Sequence, residues 1–384
     1  MARIELPFGH GTVVAETAAT VATVAVPPRV EAPPIDALCD RALDAPIGSA
    51  RLEDRVRAGD RVTLIVSDAT RDEPRAAFVA AVRARLPAVR LTLAIATGTH
   101  GRAGGLATLG LDARTVGADA VIDHDGHDDD ALVTVGTTTR GTPVQVHRVC
   151  VDADLVIATG VIRAHYFAGF GAGAKAIFPG LASSRAARIN HLWKRDPAAR
   201  AGAVDDNPCR LDLEEAARLA APRSFLLDGV ADRHDQVRAA VAGDLDAAFR
   251  AGAAIAAPWL TASARRSRCI VVADRAPVTR SLYQASKCVA AVAPWLVDGG
   301  RIVVVAPCED GLGPLDVVNR GIYELGLVPR LPVHHEIVLV SSLASTTVAP
   351  SYARWAGSLA DAIDGAEELL VVPLASKVIA HALA

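Results

Sequence analysis

Runs of consecutive apolar, often β-branched residues alternate along the chain with segments whose apolar positions recur every three or four residues. The runs at 61–67, 90–96, 118–122 and 154–159 predict strands, and the segments at 35–44, 74–85 and 103–110 predict helices. Strand and helix alternating at this pitch mark a parallel α/β sheet. Further helices are predicted over 183–195, 212–221 and 246–256. The alternation then starts afresh: strand 269–273, helix 281–295, strand 301–306, helix 314–325, strand 335–341, helix 351–363 and a last strand at 368–373. The first 28 residues read instead as a β-hairpin around Phe8-Gly9-His10-Gly11, closed by Pro27-Pro28.

Pro258, Trp259 and the small and basic residues up to Arg268 read as a hinge. The expected fold class is therefore α/β, with two α/β domains built on mainly parallel sheets and the active site in the interdomain cleft. Residues 1–262, rejoined by 365–384, form the expected first domain, and 263–364 the smaller second one. A length of 384 residues supplies two buried cores.

Composition narrows the function classes. A formal charge of −3, with no basic run and no interleaved basic and aromatic stripe, argues against a nucleic-acid partner. The six cysteines are scattered without a Cys-x-x-Cys pair, which predicts reduced, mostly buried thiols. Neither a signal-peptide pattern nor a membrane-span pattern is present, so the expectation is a cytoplasmic, soluble protein with no membrane partner.

Four segments following predicted strands carry candidate chemistry. Asp68 and Arg71, in Ser67-Asp68-Ala69-Thr70-Arg71, read either as an anion clamp or as a capping turn with a local ion pair. His100, after Ala96-Thr97-Gly98-Thr99, is either an acid–base group or a hydrogen-bonded loop residue. The third segment runs from His165 through Gly169-x-Gly171-x-Gly173-x-Lys175 to His191. It is not a Walker loop, because Ala176 follows the lysine and offers no hydroxyl to Mg²⁺. It is not a dinucleotide fingerprint either, because Pro179-Gly180 interrupts the helix that must follow. The fourth is Tyr283-Gln284-Ala285-Ser286-Lys287, where Gln284 and Lys287 share a helix face that meets either substrate or solvent. The His-Asp run at 123–130 reads as a solvated acidic loop rather than a metal site, since all ligands would come from one loop.

Taken in order, these motifs resemble the nickel-dependent lactate racemase family over nearly the whole chain. The resemblance rests on Leu6-Pro7-Phe8-Gly9, the Asp68–Arg71 and Thr97–His100 segments, the 123–130 loop, and Phe167-Ala168-Gly169-Phe170 with Lys175-Ala176-Ile177-Phe178-Pro179-Gly180. Asn190-His191, Asn207-Pro208, Tyr283–Lys287, Gly299-Gly300 and Cys308-Glu309-Asp310-Gly311 complete it. It implies a racemase or epimerase of a small-molecule 2-hydroxy acid, using a nickel pincer nucleotide made and delivered by transiently bound cofactor-biosynthesis proteins. By the same resemblance Lys175 tethers the cofactor covalently, His191 ligates nickel, and Asp68, Gly169, Gly171 and Gly173 line the cofactor. His100 and His165 are the implied acid/base pair, and Arg71, Tyr283, Gln284 and Lys287 hold the substrate. Alternative readings are a nicotinamide-dependent hydroxy-acid dehydrogenase and a non-catalytic binder of an organic anion or metallocofactor. The chain departs from the family at Arg163-Ala164-His165, where members often have Glu-Pro-His, and at Ala172-Gly173-Ala174-Lys175, where they have Gly-Gly-Arg-Lys. It departs again at Pro277-Val278-Thr279, against Pro-x-Asp. Arg163 beside a catalytic histidine would meet either a second substrate carboxylate or solvent.

Overall fold

The computed structural model describes residues 1–383, in two compact units. The larger unit comprises residues 30–193 and 202–258, and the smaller one residues 1–29, 194–201 and the described residues from 259 on.

The larger unit is built on a six-stranded sheet. In spatial order its strands are Val237–Gly243, Ser224–Ala231, Leu155–Ile162, Arg61–Ser67, Arg90–Ala96 and Ala120–Asp123. All neighbours are parallel except the Val237–Gly243 edge strand, which returns antiparallel to Ser224–Ala231. Every residue of Leu155–Ile162 is buried. A strand buried on both faces reads as a continuous apolar run, which is why Arg61–Ser67, Arg90–Ala96 and Leu155–Ile162 were visible in the sequence, whereas Ser224–Ala231 and Val237–Gly243 were not predicted. Leu64, Val66, Leu93, Ile95 and Ile157 pack with Phe78, Val79 and Val82 of the helix Arg75–Arg83 in one core.

The smaller unit carries a second six-stranded sheet, entirely parallel. Its order is Arg354–Ala356, His335–Val340, Leu296–Val305, Ser267–Ala273, Glu368–Pro373 and Thr20–Thr23. The amino-terminal hairpin, Ala2–Phe8 against Gly11–Thr17, packs Ile4, Leu6 and Ala15 into this unit's core.

That placement corrects the expected domain boundaries. Thr20–Thr23 hydrogen-bonds along Glu368–Val371, so residues 1–29 belong with the carboxyl-terminal sheet rather than with the first domain. The strand Glu368–Pro373 also pairs with Ser267–Ala273, so the described residues from 365 on stay in the smaller unit and do not rejoin the larger one, as 365–384 was expected to. The hinge segment forms a strand, Thr261–Ala264, paired with Ile379–Ala382.

Several helices differ in extent from the pattern. Residues 103–110 form only a short 3-10 turn, Leu106–Leu109. The 183–195 helix is α-helical over Ser184–His191 and tightens to 3-10 beyond it. Residues 351–363 divide into the strand Arg354–Ala356 and the short helix Leu359–Ile363. The helix Val317–Leu327 has π-type hydrogen bonding. A hairpin at Leu132–Thr137 and Pro143–His147 was not anticipated.

Candidate active site

The central parallel strands Leu155–Ile162, Arg61–Ser67 and Arg90–Ala96 lie side by side, so the loops after their carboxyl ends are neighbours. This is where open parallel sheets build their sites. The loop after Arg61–Ser67 brings Asp68 to the loop after Arg90–Ala96, where its Oδ2 lies 2.8 Å from His100 Nδ1. Asp68 is buried, and its Oδ1 also accepts the Thr70 hydroxyl at 2.5 Å and the Thr70 N–H at 3.1 Å. Burial works against the ionised form. The hydrogen bonds from His100 and Thr70, with the charge of Arg71, outweigh it and hold the carboxyl below its ordinary value. Asp68 thus closes a local turn with Thr70 and faces His100, without capping the helix that follows.

Arg71 is exposed and makes no side-chain hydrogen bond or ion pair among the described residues, which leaves its fork available to an anion. Its loop is braced from below by Arg75, a buried residue that the sequence did not single out. Arg75 Nε donates to Ser67 O at 2.8 Å, and Nη2 donates to the carbonyls of Asp68 and Arg71.

Arg163 meets neither of its expected fates. Its Nε donates to Asp235 Oδ1 at 2.9 Å, its Nη2 donates to Asp72 O, and Nη1 lies 3.8 Å from Glu73 Oε1. Burial raises the Glu73 carboxyl above its ordinary value, against the opposing charges of Arg163 and Arg75. Arg163 thus ties the Asp68–Arg71 loop to the chain that carries His165, in a structural role. Arg163→Met should lower the stability of the protein by about 2–3 kcal/mol, because it leaves a buried carboxylate short of its partner. Denaturant unfolding checks this, and Glu73→Gln in the same chain should recover part of the loss.

His165 opens a two-residue hairpin, pairing with Gly169. Its Nδ1 accepts the Ala168 N–H at 3.2 Å, and its ring stacks on Tyr166 and meets Phe167 edge-on at 4.6 Å between centroids. Phe167, buried and assigned no role from the sequence, is the hub of the arrangement. His191 lies 5.2 Å from its ring centre, and Lys175 Nζ lies 5.8 Å from it. The helix Pro208–Ala220 fixes the hub from behind: Asn207 Nδ2 donates to Phe167 O at 3.0 Å, and Arg210 donates to the carbonyls of Ala168 and Phe170.

Two of the three glycines are explained by packing. A Cβ on Gly169 would lie 1.8 Å from Ala203 O, and one on Gly173 would lie 2.5 Å from the Phe249 ring, both at positive φ. A Cβ on Gly171 would meet only the backbone oxygens of Val161 at 3.7 Å and Arg163 at 3.9 Å, ordinary contacts, so packing does not demand glycine there. The Gly173 N–H donates to Oδ2 of Asp228 at 2.8 Å. Burial pushes that carboxyl up to about 8, so it is neutral at pH 7.

Lys175, on the 3-10 turn Gly173–Ala176, is brought down from 10.5 to about 7 by desolvation first and then by the charge of Arg210. A substantial fraction of the amine is therefore unprotonated and nucleophilic near neutral pH. Acylation of Lys175 in the cofactor-free protein should rise with pH to a plateau, with a midpoint near 7. Peptide mass mapping across a pH series measures it, and a midpoint near 10 would refute the assignment. The folded value lies below the unfolded one, so the unfolded chain holds an extra proton between them. The lysine's penalty on stability is therefore full below about 7 and is relieved as pH rises towards 10.5.

His191 ends the helix Ser184–His191, whose seating is polar and buried. Asn190 Nδ2 donates to Asp212 Oδ2 at 2.8 Å, and Asp212 also accepts the hydroxyls of Thr138 at 2.6 Å and Thr142 at 2.7 Å. The acidic run at 123–130 is only partly solvated. Asp123 accepts three backbone N–H groups, from Ala103, Gly104 and Gly105, and the fully buried His124 bonds to Ala182 O at 3.0 Å. Among the described residues no group of three or more His, Cys, Asp or Glu side chains is arranged to hold a metal.

Tyr283, Gln284 and Lys287 lie in the smaller unit, on the helix Leu282–Val292 capped by Ser281. Lys287 Nζ donates to Gln284 Oε1 at 2.5 Å, so the two form one polar group on the helix. All three are half-buried.

The parallel sheet and the polar groups gathered beyond its carboxyl edge first define a class: an α/β protein with its candidate chemistry at strand ends. Residues 8–202 match the family described as the lactate racemase N-terminal domain. This chain belongs to the lactate racemase family. Lactate racemases from Thermoanaerobacterium thermosaccharolyticum and Lactiplantibacillus plantarum are 28% and 29% identical to it. The matches cover 78% and 79% of this chain and the same shares of those proteins. The structure of the Thermoanaerobacterium thermosaccharolyticum lactate racemase apoprotein has the same fold, with a TM-score of 0.86 and 24% identity over 99% of this chain and 100% of that one. A Thermotoga maritima protein of known crystal structure is more distant, at a TM-score of 0.64 and 16% identity over 91% of this chain and 97% of that one.

Proposed function

We propose that the protein is a racemase or epimerase of a 2-hydroxy acid that works with a nickel pincer nucleotide tethered at Lys175. The observation that carries this reading is the grouping of His165, Lys175 and His191 around Phe167. The residues fit such a group. Lys175 is desolvated enough to attack as a free amine. His191 can donate one nitrogen, and the organic cofactor would supply the remaining donors. Bound there, the cofactor supplies a reversible hydride acceptor, which a 2-hydroxy acid needs because its Cα–H is a weak acid.

The chain supplies everything else. Arg71 clamps the substrate carboxylate with its exposed fork. The hold keeps the keto acid in place while its reacting face changes. His100, oriented by Asp68, and His165 take and return the hydroxyl proton, one for each enantiomer. The dehydrogenase reading has less support, because the glycine stretch leads into a single 3-10 turn and not into a long helix that could face a pyrophosphate.

The six cysteines are buried and free, which favours a reducing compartment such as the cytoplasm. No helix among the described residues is long and apolar enough to cross a membrane. Cofactor-building proteins are the proposed transient partners. The reading is tested on protein produced together with those enzymes: it should carry nickel in equimolar amount and a mass increment confined to the Lys175 peptide. Racemisation by protein free of nickel and unmodified at Lys175 would overturn it.

A further inference from the structure

The two histidines proposed as a matched pair are held by chemically opposite partners. His100 Nδ1 faces the Asp68 carboxylate at 2.8 Å, and His165 Nδ1 faces the Ala168 backbone N–H at 3.2 Å. An ionised carboxylate only accepts a hydrogen bond, and a backbone N–H only donates one. The Thr70 bonds and Arg71 keep Asp68 in its ionised form. We infer that, with both rings neutral, His100 rests with its proton on Nδ1 and a lone pair on Nε2, whereas His165 rests with its proton on Nε2 and a lone pair on Nδ1.

The consequence for catalysis rests on the racemase reading; the tautomers themselves do not. At rest the site holds one ready base, His100, and one hydrogen-bond donor, His165. The Nε2 of His100 can take the substrate hydroxyl proton at once, the O–H bond breaking as the N–H bond forms, with Asp68 steadying the imidazolium. His165 has no such direct route. To accept a proton at Nε2 it must first carry its own on Nδ1, and to give one back from Nε2 it must be doubly protonated. In either state a proton on Nδ1 points at the Ala168 N–H, and two donors cannot share that contact. The Ala168 bond is therefore a latch on His165: the turn over residues 165–168 has to open before this histidine moves a proton. Phe167, which spans that turn, would carry the movement to His191 and Lys175.

Long-range proton–nitrogen NMR spectra of the full-length, cofactor-free protein with 15N-labelled histidine test this, at a pH where both rings are neutral. Signals are assigned by His100→Gln and His165→Gln. The expected result is a protonated Nδ1 in His100 and a protonated Nε2 in His165. In Asp68→Ala, His100 should move to the Nε2–H form favoured in water, while His165 stays unchanged. The same tautomer in both wild-type rings, or His100 unmoved in Asp68→Ala, would overturn the inference. The spectra need no turnover, so failure of the racemase reading would leave them as described, and failure of the tautomer assignment would leave racemisation untouched.

Discussion

Lys175→Ala protein, prepared alongside the cofactor-building enzymes, is expected to lack the mass increment and to show no racemisation above background. The argument is specific to this side chain. The amine is held near 7 by desolvation and by Arg210, and it stands beside Phe167 with both histidines around the same ring. A soluble surface lysine at 10.5 would be almost wholly protonated at neutral pH and a poor nucleophile. Lys175→Arg should be as inactive as Lys175→Ala, since guanidinium keeps its proton and cannot form the tether. Because removing a desolvated amine relieves a penalty, the loss of activity in Lys175→Ala should not come from unfolding, and that variant should gain stability relative to wild type as pH falls towards 7; Lys175→Arg keeps a charge in the same desolvated place and should not share the gain. Full activity in either variant, read with intact protein mass, would remove the covalent cofactor from the account.

His100→Ala and His165→Ala should each lower kcat/KM by roughly 10²–10⁴-fold, the usual range for one general acid–base group. Both should retain the Lys175 mass increment and bound nickel, because neither is proposed to hold the cofactor. Asp68→Asn should lie between them and wild type: it keeps the shape but loses the charge that orients His100. The comparison of cofactor loading with turnover separates a proton-transfer role from a collapsed site. A histidine variant that is inactive and also empty would place that residue in cofactor binding instead.

Much of this was legible in the sequence where chemistry and burial are local. The strands Arg61–Ser67 and Arg90–Ala96 were readable to the residue, because burial on both faces writes an unbroken apolar run. His100 stood out because it follows such a run, and Lys175 because it closes a glycine stretch; the roles of both belong to the proposed function. What stayed hidden depends on contacts between distant residues. Nothing local in Thr20–Thr23 shows that it pairs with Glu368–Val371, and that one ladder reassigns the whole amino terminus. Arg163 looked open to substrate until Asp235 and Glu73 closed around it. Phe167 was given no role in the sequence, and its place as the ring shared by His165, Lys175 and His191 exists only in three dimensions. Asp228 and Asp212 likewise gave no sign, since an acidic residue in a sequence does not announce burial.

The central claim is that configuration is inverted by hydride moving away and back, with the histidines handling only the hydroxyl proton. Racemisation of a single-enantiomer 2-hydroxy acid by the loaded enzyme in D₂O tests it most directly. The account predicts that the opposite enantiomer forms with its original hydrogen still on Cα and no deuterium there. Deuterium at Cα in the product would show proton abstraction by the histidines themselves and contradict the account.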